Sequence, residues 1–339
     1  MQLDHYLRAD LDTVPEVAHA LETMGFDGLY TAEGPHEPFL PLMVAAEHTT
    51  RATLFTNIAV AFARSPLDLA QMANDLQLAS AGRFVLGVGS QIRPHIQHRF
   101  SMPWGRPVQQ MRDLVGAIKA IQRCWGDRTK LEFRSEHYSH TLMTPFFDPG
   151  PNPFGAPPVW VAGLGPRMTH AAAEVGDGLL IHPFHSGSFV RDRVAPTVAA
   201  GLAAAGRARE DFTVSAVPIV CTADRDEDLD DARAGVRRLL AFYGSTPAYR
   251  VTLDLHGWGE LQTELNRLTK RGRWDELPGL IDDEVFDTLV VQGRPGDIGR
   301  LVAERYVGQV DRVGLSMPYP ATPETLAAVV AGFRPGRRG

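Results

Sequence analysis

Apolar residues along the chain follow two alternating rhythms: short unbroken runs, and longer stretches in which they recur at helical spacing. Val14, Val17, Ala18, Leu21 and Met24 fall at i, i+3, i+4, i+7 and i+10, one face of a helix. Thr13 followed by Glu16 predicts a capping box at its start, and Gly25 a stop at its end. Residues 26–31 then read as a strand, and helical spacing resumes over 40–48. A strand at 53–61 leads into Ser65-Pro66-Leu67-Asp68, a helix start with proline in the first position. Phe84-Val85-Leu86-Gly87-Val88-Gly89 has the continuous apolar character of a strand buried on both faces. A long helix is predicted over 107–125, followed by a strand at 158–162, a helix at 166–175 and a strand at 178–182. The pattern continues with a helix at 190–205, a strand at 213–222 and a helix at 227–243. It closes with a helix at 294–306, a strand at 310–316 and a last helix capped by Thr322.

With an initial strand at 2–6, this makes eight strands, each followed by helical sequence. Such alternation predicts a parallel sheet with helices outside it, and eight units favour a closed α/β (β/α)8 TIM barrel over a doubly wound sheet. A barrel takes about 250 residues, so the 339 residues here are read as one barrel domain with inserted segments. Residues 127–158 hold a predicted hairpin and a turn-rich stretch, and residues 244–286 hold extra helix. Both are expected to lie over the C-terminal mouth of the barrel.

Composition narrows the function. Thirty-four Lys+Arg against 40 Asp+Glu give a net charge of −6 with no long single-sign block, so neither nucleic acid nor an anionic membrane is an expected partner. Cys124 and Cys221 cannot build a disulfide framework or a four-cysteine zinc site, which suggests a reducing, cytoplasmic setting. The acidic start MQLDHYLRADLD carries no secretion signal, and no apolar run approaches the ~18 residues of a membrane span. The pairs His95/His98, His137/His140 and His182/His185 share i, i+3 spacing, but no carboxylates gather beside them at strand ends, so no metal is expected.

In a barrel the functional residues sit at the C-terminal ends of strands. There the chain places Glu33-Gly34-Pro35-His36-Glu37, Thr56-Asn57-Ile58, Gly89-Ser90-Gln91, Gly163-Leu164-Gly165-Pro166-Arg167 and His182-Pro183-Phe184-His185. Neither glycine cluster completes GxGxxG. Gly163 and Gly165 let amides approach an anion at the positive end of the following helix, with Arg167 adding charge; the alternative is a tight turn alone. His36, between Glu33 and Glu37, is a candidate proton donor or base, or else a surface-loop histidine. Trp104, Tyr249 and Trp258 could wall a pocket or simply pack. With His182 and His256, Trp104 and Tyr249 form the candidate substrate contacts.

The ordered stretches Gly25-Phe-Asp-Gly-Leu-Tyr-Thr-Ala-Glu33, Thr56-Asn-Ile-Ala-Val-Ala-Phe-Ala-Arg-Ser-Pro66, Gly82-Arg-Phe-Val-Leu-Gly-Val-Gly89 and Pro158-Val-Trp-Val-Ala-Gly163 resemble the luciferase-like monooxygenase superfamily. His140 to Asp148, and Ser245 to Arg250 with His256 to Leu261, resemble a subgroup assigned to coenzyme F420. The resemblance implies a bacterial-luciferase-type barrel that binds coenzyme F420, or alternatively FMN, at its C-terminal mouth. It also implies a non-proline cis peptide at Asn57–Ile58 behind the ring. Thr56, Asn57, Ile58, Gly89, Ser90, Gln91, Gly163, Leu164, Gly165 and Arg167 are the implied cofactor contacts. Two departures stand out: Gly34 follows Glu33 where many F420 enzymes have histidine, and Gln91-Ile92 replaces an acid found in some relatives. The implied activity is hydride transfer between a small organic substrate and the deazaflavin ring, with His36, Glu33 and Glu37 handling protons. The alternatives are an FMN-dependent two-component monooxygenase fed by a flavin reductase, and a non-catalytic flavin- or ligand-binding barrel. Dimerisation through barrel helices is implied by resemblance alone.

Overall fold

The computed structural model describes residues 1–334. Eight short parallel strands close on themselves: β1 (Gln2–Tyr6), β2 (Gly28–Thr31), β3 (Thr53–Thr56), β4 (Phe84–Gly89), β5 (Val159–Gly163), β6 (Gly178–Ile181), β7 (Thr213–Ala216) and β8 (Arg312–Leu315). Each pairs with its neighbour in sequence, and β8 returns to β1 in the register Gln2↔Arg312 to His5↔Leu315. Helices α1 (Val14–Met24), α2 (Phe39–His48), α3 (Pro66–Ala79), α4 (Pro107–Asp127), α5 (Pro166–Val175) and α6 (Ala195–Ala204) surround the first six strands. The chain is therefore an α/β TIM barrel. No helix among the described residues is long and apolar enough to cross a membrane.

The lumen is filled, not open. At its floor Asp4 and Arg312 form a bidentate pair, Nε–Oδ2 2.9 Å and Nη2–Oδ1 2.6 Å, and both residues are buried. The guanidinium lies 5.8 Å over the Phe55 ring and 5.9 Å over that of Trp160. A Cβ on Gly28 would come within 2.5 Å of both ions, so the ion pair requires a glycine there. Above it, Tyr30, Phe55, Val85, Trp160, Leu180 and Val217 pack as an inner cluster.

Signature residues outside the lumen hold the barrel together. Gly25 ends α1 at φ 111°, in the left-handed region glycine tolerates. Arg83 donates to the carbonyls of Ala46, Thr49 and Ala52, capping the C-terminal end of α2. Gly87 lies so close to β3 that a Cβ would sit 1.7 Å from the Thr56 carbonyl oxygen. The predicted capping box at Thr13 does not form. Thr13 is itself in the helical region (φ −100°, ψ −9°), and its hydroxyl turns back to donate to the Asp10 carbonyl at 3.0 Å. The box at Ser65 and Asp68 does form, as does the Thr322 cap.

The strand predicted at 213–222 is divided. Pro218 has no N–H for a ladder, so β7 stops at Ala216 and Ile219–Cys221 joins a separate parallel pair with Val290–Gln292, a strand not foreseen from the sequence. Ile219 also bridges Ser316, so this pair continues directly from the C-terminal end of β8. Between its two strands lie α7 (Asp226–Gly244), α8 (Arg250–Leu255), α9 (Gly259–Lys270) and α10 (Asp283–Leu289). They build a second apolar cluster around Val236, Leu240, Leu265 and Phe286, which takes in Phe184 from the loop after β6. Helices α11 (Pro295–Tyr306) and α12 (Pro323–Phe333) complete the outer layer. The earlier segment contributes a hairpin, Phe133–Arg134 with Ser139–His140, docked on α4 through His137 Nδ1 and Asp113 Oδ2 at 2.6 Å.

Candidate active site

The loop after β2 rises at the mouth but does not assemble the expected proton-handling group. The Glu33 carboxylate, 5% exposed, accepts from the Val60 amide at 2.7 Å and pairs with Arg64 at 2.6 Å. It thus clamps β2 to the chain just past β3. Glu37 accepts from the amides of Phe39 and Leu40 and so caps α2. His36 is exposed, with neither acid as a partner. The acid–histidine grouping read from the sequence is therefore corrected: both carboxylates are engaged by backbone and arginine, because a carboxylate near free amides or a guanidinium gains more there than beside a solvated imidazole.

The Asn57–Ile58 peptide is cis. Thr56 is fully buried and its hydroxyl donates to the Gly87 carbonyl at 2.6 Å, which removes that side chain from any cofactor contact. Asn57 and Ile58 are half-buried, and Ile58 occupies the space that a Cβ on Gly89 would need. Beyond Gly89 the Ser90 hydroxyl donates to the Gln91 carbonyl, and Gln91 takes a left-handed φ of 55°. Trp104 packs edge-on against Phe62, centroids 6.0 Å apart.

Gly163 ends β5, Leu164 is buried, and Gly165 occupies the N-cap of α5 with Pro166 in the first turn. Glycine offers no capping oxygen, so the first-turn amides of Arg167 and Met168 are left for an outside acceptor. The Thr169 hydroxyl, 1% exposed, has no partner among the described residues. It lies 3.3 Å from where a Cβ on Gly163 would sit. Arg167 is exposed and lines a groove of about 490 Å³ on the outer flank, together with Arg112, His170 and Thr197.

The densest polar-aromatic arrangement follows β6. His182 stacks on Tyr249 at 4.1 Å and 29°, and meets the Tyr243 ring edge at 4.7 Å. Its Nδ1 accepts from the Phe184 amide at 3.2 Å. Burial, reinforced by the adjacent His185, pushes His182 down to about 3. His185 is fully buried, donates from Nδ1 to the His182 carbonyl at 2.7 Å, and accepts from the Tyr306 hydroxyl at 3.1 Å. Burial pushes Tyr243 and Tyr249 up to about 12, so both remain protonated donors at neutral pH. Tyr6 and Tyr30, centroids 5.6 Å apart, continue the aromatic surface down into the lumen. His256 bonds Ser186 at 2.9 Å and stacks on Trp258, latching α8 to the β6 loop. Thr252 adds a second latch by donating to the Phe184 carbonyl at 2.8 Å. Tyr243, His185 and Tyr306 were not singled out as site residues from the sequence. The His182/His185 spacing was visible, but Tyr306 is 121 positions from His185 and no local pattern points to it. Among the described residues, no group of three or more His, Cys, Asp or Glu is placed to hold a metal ion.

An aromatic mouth, an uncapped helix terminus at its rim and a filled lumen characterise this (β/α)8 barrel, a fold whose functional sites lie at the C-terminal face. The chain belongs to the luciferase-like monooxygenase family, whose profile matches residues 2–312. It is 47% identical over 334 residues, 98% of each chain, to an uncharacterized protein of Mycobacterium tuberculosis (strain ATCC 25618 / H37Rv). It is 26% identical over 311 residues to the 5,10-methylenetetrahydromethanopterin reductase of Archaeoglobus fulgidus, covering 89% of this chain and 87% of that one. Among solved structures, the coenzyme F420 dependent tetrahydromethanopterin reductase from Methanopyrus kandleri superposes with a TM-score of 0.78 at 18% identity, covering 97% and 96% of the two chains.

Proposed function

We propose that this chain is an oxidoreductase that transfers a hydride between a small organic substrate and coenzyme F420. The observation that carries the reading is the rim of β5 and α5: uncapped first-turn amides beside Gly163 and Gly165, with the unpartnered, buried Thr169 hydroxyl behind them. These groups suit a phosphate ester, and a side chain at 163 would fill the space in front of that hydroxyl. Relatives named as methanopterin reductases, one of them named F420-dependent, agree with this cofactor class. When bound, the deazaflavin ring supplies a carbon centre that gives or accepts a hydride.

This chain's own residues do the rest. Gly163, Leu164 and Gly165 with the first-turn amides of α5 would hold the phosphate, with Gly89, Ser90 and Gln91 on the β4 side and the Asn57–Ile58 bend at the ring, while Arg167 faces the outer groove. Trp104, His182 and Tyr249 would border the substrate. Tyr243, Tyr249 and α8 would exclude water, held down by the Ser186–His256 and Thr252–Phe184 bonds. Fixed orientation of two reactants supplies much of the acceleration in such a site. Gel filtration after incubation with F420 or FMN, followed by absorbance spectra, tests the reading. Retained F420 is the expected result; tight FMN binding with no F420 retained refutes it. Gly34, where many F420 enzymes have histidine, leaves room for one second reading, an FMN-dependent monooxygenase supplied by a flavin reductase. Oxygen consumption with reduced FMN distinguishes it.

A further inference from the structure

His182 is held at the mouth by a hydrogen bond and two aromatic contacts. Phe184 N–H donates to its Nδ1, which makes Nε2 the nitrogen that carries the proton. Tyr249 lies against one face of the ring, and Tyr243 meets its edge. From behind, Tyr306 O–H holds His185, and His185 N–H holds the His182 carbonyl. His182 is half-buried, and no described residue accepts from Nε2. Two ion pairs serve the barrel, Asp4 with Arg312 at the floor and Glu33 with Arg64 beside the mouth, while Arg305, whose buried Nη1 has no partner among the described residues, places a charge near His185. Arg8, over the Tyr6 ring, is exposed at the rim. Around His182 the surface is aromatic, with Tyr243 and Tyr249 at the imidazole and Tyr6 against Tyr30 deeper in the lumen.

We infer that the His182 Nε2–H receives a carbonyl or hydroxyl oxygen of an uncharged, apolar-bodied substrate, with His185 and Tyr306 as positioning residues behind it. The inference rests on reading the mouth as an oxidoreductase site, and it places the polar contact to substrate at the end of β6 and not at His36 in the loop after β2. A neutral imidazole polarises a carbonyl through its N–H without giving up the proton. Burial keeps His182 neutral, so the donor persists throughout the neutral range. The apolar body then stacks on tyrosine faces, whose hydroxyls leave no free charge for a carboxylate or an amine.

The test measures binding to the full chain, with and without F420, of four probes: cyclohexanone, cyclohexanecarboxylate, cyclohexylamine and toluene. Cyclohexanone is expected to bind at least about tenfold tighter than the two charged probes, and His182→Phe, which keeps the stack, to weaken it about tenfold. His182→Gln retains an N–H donor and is expected to stay within about threefold of wild type. Tyr306→Phe is expected to weaken cyclohexanone about two- to fivefold and leave toluene unchanged, a selectivity that a merely structural role would not produce. Ketone affinity should be flat between pH 5 and pH 8 on an order-of-magnitude scale, roughly as for any donor that does not titrate there. Equal ketone binding by His182→Phe, or a charged probe binding as tightly as the ketone, overturns the inference. F420 retention is read by absorbance on the same samples. Lost retention with intact ketone selectivity counts against the oxidoreductase reading alone, and retained F420 without selectivity counts against the His182 assignment alone.

Discussion

Asp4→Asn tests whether the barrel floor depends on charge pairing. It keeps shape and volume but leaves the Arg312 guanidinium, with 6% of its side chain exposed, without an anion. Removing one partner of a buried ion pair costs about 3–5 kcal/mol, because the other charge stays desolvated. At about 2.1 cal/mol/K per residue, a chain of 339 residues unfolds with an entropy near 0.7 kcal/mol/K. The melting temperature should then fall by about 4–7 °C. Arg312→Met removes the other partner, with a different dependence on pH. Burial already pushes the Asp4 carboxyl above its ordinary range, with Arg312 opposing it, and deleting the guanidinium leaves burial alone. A group with a raised native pKa binds its proton more readily when folded. The penalty of charged Asp4 is therefore full above that raised pKa and disappears as pH falls below it. Calorimetry at several pH values should show Arg312→Met approaching wild type in mild acid while Asp4→Asn stays low throughout. A shift under about 1 °C for Asp4→Asn at neutral pH would refute the account, since the pair would then contribute almost nothing.

Glu22 should behave in the opposite sense. Burial opposes its ionised form, but the amides of Ala52, Arg51 and Thr50 and the Thr50 hydroxyl prevail and hold its carboxyl below the ordinary value. Its stabilisation is present above the unfolded pKa and lost as pH falls through the lower native one, so Glu22→Gln should flatten acid denaturation and cost about 1–3 kcal/mol at pH 7. Gly87→Ala should fail to give folded protein in circular dichroism, because its Cβ would lie 1.7 Å from the Thr56 carbonyl oxygen. His36→Ala should leave the melting temperature and F420 retention unchanged, as expected of an exposed loop residue. Glu33→Ala should destabilise by about 3 kcal/mol, since it leaves Arg64, 18% exposed, without its counter-anion and the Val60 amide unpartnered.

All eight barrel strands were legible because each is a short apolar run followed by a turn and a helical period, and those signals are local. Errors arose where a local signal had a distant competitor. The Thr13-Glu16 spacing suits a capping box, but the Asp10 carbonyl captures the hydroxyl. Residues 213–222 read as one strand, yet Pro218 breaks the ladder and Ile219 finds a partner more than seventy positions away at Val290. Val290–Gln292 follows directly on α10 without a turn residue, so nothing marked it as a strand. In the site, the glycines at 163 and 165 were readable because backbone approach leaves a compositional trace. The company of Glu33 was not. Its sequence neighbours are His36 and Glu37, but its spatial neighbours are Val60 and Arg64, brought in by the chain just past β3.

The residues that make the family recognisable are mostly not those at the mouth. Gly25 ends a helix, Asp27 accepts from the Leu3 amide at 2.8 Å, and Gly28 makes room for the floor ion pair. Arg83 caps α2, Gly87 lets β4 touch β3, and Arg64 holds Glu33. Every one of these serves the barrel, so selection for the scaffold alone would keep them whatever the reaction. The polar and aromatic side chains of the mouth lie elsewhere: His182 after β6, Tyr243 at the end of α7 and Tyr249 just beyond it. Two of the three belong to the excursion between Asp226 and Leu289, whose apolar cluster is largely its own and which meets the barrel through Phe184, His182, two hydrogen bonds, the Arg294–Asp226 pair and the packing of Tyr249, Val251 and Leu255 on the barrel core. None of these contacts is a ladder bond of the eight barrel strands, so the segment can change without disturbing strand pairing. Substrate preference should therefore vary with residues 226–289 while the strand signatures stay fixed.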